Sequence, residues 1–103
     1  MSAFADRYNE LFEFANHVGW DGHAANPVCP LTRQSSEQVW MEYGLANKEH
    51  TLEFDTLGQA IFEVPTVHGV LELVVFEHQY YASITKGDLV VMAPTVRDIV
   101  AFP

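Results

Sequence analysis

Between Thr51 and Met92 the chain follows one rhythm: a short β-prone run, a turn signal, then another run. In "TLEFD", Leu52 and Phe54 point one way while Thr51, Glu53 and Asp55 point the other. "TLGQ" is a turn and "AIFEV" returns. Pro65 and the pair His68–Gly69 mark the next break. Val70 to Phe76 is nearly all apolar, interrupted by Glu72, which suits a central strand covered on both faces. "QYYASI" and "LVVMA" follow, joined by "TKGD", where Gly87 permits a tight turn and Asp88 stabilises it. Strands joined this closely pair antiparallel.

Ahead of this region, Ser2 to His17 reads as a helix. Phe4, Tyr8, Leu11, Phe12 and Ala15 form one apolar stripe, and Phe14 lies off it. Ser2 can cap the first turn, Asp6 suits the helix start, and Gly19 can end the helix. Gly19 to Ser36 holds two Gly and two Pro and reads as a long loop, with Trp20, Val28 and Leu31 tucked under the sheet edge. "EQVWMEYGL" fits two readings. As a helix, Val39, Trp40 and Tyr43 share a face; as a strand, Val39, Met41 and Tyr43 oppose Trp40 and Glu42. Its β-prone aromatics and Gly44 favour the strand. The tail from Pro94 to Pro103 is either a short helix, with Thr95 and Asp98 at capping-box spacing, or an extended segment pairing with the sheet.

Helical and strand-like runs segregate along the chain. The expected class is therefore α+β: an N-terminal helix packed on an antiparallel sheet of five or six short strands, with a short C-terminal helix as one ending. At 103 residues the chain is expected to be a single domain, residues 1–103. With 49% apolar residues it has material for a core, which argues against disorder over most of its length.

Charge narrows the function. Five Lys and Arg stand against 14 Asp and Glu, a net charge of −9. Phosphate contacts need clustered cations, so direct nucleic-acid binding and docking on anionic membranes are not expected. The single cysteine, Cys29, cannot form an internal disulfide and suits a reducing cytoplasm. The first residues lack the basic and apolar regions of a signal peptide, and no window approaches the roughly 20 apolar residues of a membrane span.

Chemical motifs are sparse. "TKGDLVVMAP" resembles the second conserved box of cupin barrels. That resemblance implies a His-x-His pair with a downstream Glu and a further His, yet no two of His17, His23, His50, His68 and His78 are one residue apart. His68, Glu72 and His78 could bind zinc only if they converged. Along an extended strand their separations are about 13 and 20 Å, too far for one ion. Cys29, with His23 and Asp21 nearby in the loop, could form a thiol triad if the loop brought them together. There is no glycine-rich phosphate loop and no nucleophile elbow. No cofactor or metal is expected.

Carboxylates are the remaining pattern. Glu42, Glu53, Asp55 and Glu63 are expected to project from the sheet face opposite the core or to lie at its rim, with Trp40 beside Glu42 as an aromatic anchor and Trp20 as a second aromatic contact. Such a face suits a protein partner with a basic surface, including one that otherwise holds nucleic acid. The alternative is a solvated face with the Trp folded back on the sheet. In size and charge the chain is similar to phage-encoded inhibitors of bacterial defence enzymes, anti-CRISPR proteins among them. Two other functions compete: a secretion chaperone or adaptor holding peptide segments at a sheet edge, and a small cupin-like or thiol enzyme. Val70 to Phe76 and "IVAF" near the C-terminus offer apolar area for a core or for a dimer seam.

Overall fold

The computed structural model describes residues 3–99. Two helices, α1 (Ala3–Phe14) and α2 (Pro30–Glu42), precede a short 3-10 turn (Leu45–Asn47). Five strands follow: β1 (Thr51–Phe54), β2 (Ala60–Thr66), β3 (Gly69–Phe76), β4 (Gln79–Lys86) and β5 (Leu89–Asp98). They form one sheet in chain order, each strand antiparallel to the next. The fold is α+β, an N-terminal helix and a second helix over a five-stranded sheet. The proposed Ser2 cap, Pro103 and the end of "IVAF" lie outside the described residues.

The apolar stripe of α1 does what its spacing predicts. Phe4, Tyr8, Phe12 and the following Ala15 are buried, while Leu11 sits at the margin and Phe14 is exposed. Phe4 meets Trp40 edge-on at 5.5 Å between ring centroids, and Phe12 meets Phe54 at 4.9 Å. Burying each such ring contributes about 1.5–3 kcal/mol. Both helices lie on one face of the sheet, where Ala60, Phe62, Val64, Leu73, Val75, Tyr80 and Ala82 complete the core.

Residues 36–42 are helical, which overturns the strand reading. Cys29, extended at φ −72° and ψ 159°, leads into Pro30 in the first turn. Proline is preorganised for that place because its missing N–H would find no partner there. The helix ends at Tyr43, and Gly44 takes the left-handed conformation at φ 63°. Its buried side is partly polar: Thr32, Ser35 and Ser36 lie with Val39 and Trp40. The expected long loop is therefore shorter, ending at Cys29. It is tied down by Val28 N–H to the Ala15 carbonyl at 2.8 Å and by Asn26 N–H to the Thr56 carbonyl at 2.9 Å.

Two further corrections concern the sheet. Residues 94–98 continue β5, so the short helix beginning near Thr95 is replaced by paired strand. β3 is covered on one face only: Val70 and Phe76, on its far side, are 38% and 39% exposed.

A buried polar knot joins the layers. The Nδ1–H of His50 donates to the Lys48 carbonyl at 2.9 Å. Nε2 is then the acceptor, taking the Trp40 indole N–H at 3.1 Å and the Tyr8 hydroxyl at 2.6 Å. Burial is the main reason the Tyr8 phenol is held above its ordinary value. A second clamp holds the β3–β4 turn. Glu77 adopts φ 53°, a left-handed conformation unusual for glutamate. Its N–H donates to Thr32 Oγ1 at 3.0 Å, and its carbonyl accepts the Ser35 hydroxyl.

Candidate functional site

Strand register determines which side chains share the uncovered face. Glu63 stands directly opposite Glu72, and Ile61 opposite Val74. Glu53 faces Ile61, Val74 faces Tyr81, and Tyr81 faces Val96. One cross-strand row therefore reads Glu53, Ile61, Val74, Tyr81, Val96. The neighbouring row reads Thr51, Glu63, Glu72, Ser83. Beyond it lie Pro65, Val70, Thr85 and Val90. Alternation along each strand puts these rows opposite the helix-covered core. The half-buried pair Glu63 and Glu72 thus lies between two largely apolar rows.

The three carboxylates interact. The Glu63 carboxyl is held above its ordinary value, first by a hydrogen bond with Glu53, then by burial, then by the charges of Glu53 and Glu72. Among the described residues no Lys or Arg forms a salt bridge with them; the ion pair that does form, Arg33–Glu37 at 3.0 Å, lies on α2. Among the described residues their mutual repulsion is offset by no salt bridge.

The sequence-derived candidates divide. Glu53 and Glu63 stand on the outer sheet face as expected. Asp55 lies in the β1–β2 turn, where one carboxylate oxygen accepts the N–H groups of Leu57 and Gln59 at 3.0 and 2.9 Å. Glu42 is exposed at the end of α2, off the sheet. Trp40 is 5% exposed, so its expected place beside Glu42 on the outer face is corrected: helix periodicity turns it into the core. Trp20 is partly buried, its indole N–H donating to the Asn26 carbonyl at 2.8 Å and its ring meeting Phe54 at the β1 edge. Glu72 is the residue that sequence reasoning missed. The two-residue turn between Thr66 and Gly69 would have paired it with Glu63.

The residues of the candidate thiol and zinc groupings make local contacts. Asp21 accepts the backbone N–H groups of His23 and Ala25 and so shapes its own turn. The Cys29 thiol lies 3.3 Å from the Thr32 hydroxyl. His68 and His78 flank opposite ends of β3. Among the described residues no three His, Cys, Asp or Glu side chains converge as metal ligands.

A groove of about 730 Å³ runs beside α2, with Leu31, Met41 and Ile99 as its apolar lining and Glu42, His78 and Asp98 as polar contributors. The sheet edges are poorly shaped for strand addition. β1 offers four residues, while β5 shifts register twice and contains Pro94, which has no N–H to donate. Among the described residues no helix is long and apolar enough to cross a membrane. Comparison of the chain with protein-family models, curated proteins and solved structures finds no match.

Proposed function

We propose that this protein is a non-catalytic binding protein of the cytoplasm, one that occupies a basic surface on another protein and modulates its activity. The observation that carries this reading is the gathering of Glu53, Glu63 and Glu72 on an uncovered sheet face, with no cation of the chain bonded to them among the described residues. A partner's Lys or Arg side chains would relieve their repulsion, and the net charge of −9 would steer the encounter. A basic surface of this kind is often one that holds nucleic acid, so occupying it would inhibit by competition. Phage-type inhibitors of bacterial defence enzymes are the analogy in size and charge.

The test is a tagged pull-down from bacterial lysate with stepwise salt elution, repeated with Glu53→Lys and Glu63→Lys. One prominent partner, released by moderate salt and lost in the double charge reversal, is the expected result. A partner retained by the reversed protein, or held equally in high salt, would refute the acidic-face reading.

A further inference from the structure

We propose that the uncovered sheet face is the contact surface, and that its partner presents an apolar patch with an arginine bridging Glu63 and Glu72. This rests on the reading above and assigns the partner's chemistry.

Three features of the face lead there. First, it is more than an acidic surface. Val70, Phe76, Tyr81, Val90 and Val96 are between 38% and 58% exposed, and the pairing register puts them on the same side of one sheet with Ile61 and Val74. The row from Ile61 to Val96 crosses four strands, about 14 Å at the usual strand spacing. Contiguous apolar surface of this kind marks a site of association. Second, the edges do not offer an alternative route for pairing, because β1 is short and β5 is bulged and proline-bearing. Strand addition is therefore a poor route for a partner, and the face is the surface that combines apolar area with the carboxylates.

Third, the acids select the cation. Glu63 and Glu72 are directly opposed, so their Cβ atoms are about 4.5–5.5 Å apart. A guanidinium has five donors in a planar fork and can bond both carboxylates at once, whereas an ammonium is a compact point charge that holds its water more tightly. Tyr81 lies on the next strand, one position diagonally from the carboxylate pair, about 7–8 Å away. Its ring supplies a surface on which a guanidinium can stack. Apolar neighbours on both sides exclude water around the contact, which strengthens it. A second copy of this chain does not fit, since it would bring three more carboxylates against these.

Amide NMR of the intact protein tests the assignment, with three short peptides as probes. One is amphipathic, of leucine and arginine; the second replaces each arginine by lysine; the third replaces each by glutamate. The arginine peptide should shift the amides of Ile61, Glu63, Glu72, Val74 and Tyr81. It should bind several-fold tighter than the lysine peptide, and the glutamate peptide should not bind. Loss of a charge-assisted hydrogen bond corresponds to roughly tenfold in affinity, so Glu63→Gln with Glu72→Gln should weaken the arginine peptide at least that much. Tyr81→Leu, which keeps apolar bulk in β4 but removes the aromatic ring, should reduce the preference for arginine over lysine. Equal binding of all three peptides, no binding by the arginine peptide, or shifts confined to α1, α2 and the groove would overturn the inference. If these occur while the pull-down still yields a salt-released partner lost on charge reversal, the acidic-face function stands and only the assigned contact fails.

Discussion

Replacing His50 by alanine should cost this protein a large part of its stability, because one ring nitrogen serves two buried donors. Trp40 and Tyr8 are 5% and 8% exposed and share the Nε2 acceptor. A buried donor left without a partner costs about 1–3 kcal/mol, so two of them give at most roughly 2–6 kcal/mol. The hydroxyl of Tyr8 can turn, which puts the lower part of that range on Tyr8 and the fuller part on the fixed indole of Trp40. A domain of this size has about 5–15 kcal/mol in all. Urea unfolding followed by tryptophan fluorescence reads the loss directly. Two companion variants separate hydrogen bonding from packing. His50→Gln keeps an acceptor and should recover part of the loss. Trp40→Phe removes one donor, so the His50→Ala change should cost less in that background than in the natural one. If His50→Ala lost less than about 1 kcal/mol, or the two changes were simply additive, the knot would not hold the layers together as described.

Other perturbations probe the two strained places. The folded Glu63 carboxyl takes up its proton above the ordinary 4.5, so its contribution to stability is full below that value and is lost as pH rises through the folded value. Glu63→Gln should therefore flatten the fall in melting temperature as pH rises above about 4.5, and raise the melting temperature once the carboxyl is ionised; an unchanged profile would count against the carboxylate repulsion. Glu77→Gly should stabilise by about 0.5–1 kcal/mol, since glycine adopts the observed φ of 53° without strain while keeping both backbone bonds to α2. A loss of stability on calorimetry would mean that the Glu77 side chain itself supports the turn.

Much of the sheet was legible because its signals are local. Alternation in "TLEFD", and the turns at Gly58, Gly69 and Gly87, locate β1 to β5 almost without reference to the rest of the chain. The stripe of α1 was equally plain. α2 was not, because a helix is recognised by apolar residues on its buried side, and here Thr32, Ser35 and Ser36 occupy much of that side. They are polar because they face the backbone of the Glu77 turn or their own helix, contacts invisible in a sequence. Val39, Trp40 and Tyr43 then looked β-prone in isolation. Pro30 before a run without glycine was the helix-start signal that could have outweighed them. The candidate site was half legible for a related reason. Reading Val70 to Phe76 as covered on both faces hid Glu72, whose exposure depends on the helices covering only one side.

Chain order has a consequence for how the protein is made. Each strand pairs with the one synthesised just before it, and an isolated hairpin closes in about 1–10 μs, so the sheet can zip as it emerges. The helices cannot profit so early. At a ribosomal rate of about 5–20 residues per second, Tyr80 follows the end of α1 by roughly 3–13 s. For most of that interval Phe4 and Phe12 have only part of the sheet to cover or none, and the backbone clamp on Thr32 and Ser35 has no Glu77 to grip. The first-made third of the protein therefore waits for the last-made third, and the nascent chain is at its most adhesive and protease-sensitive until β3 and β4 leave the tunnel.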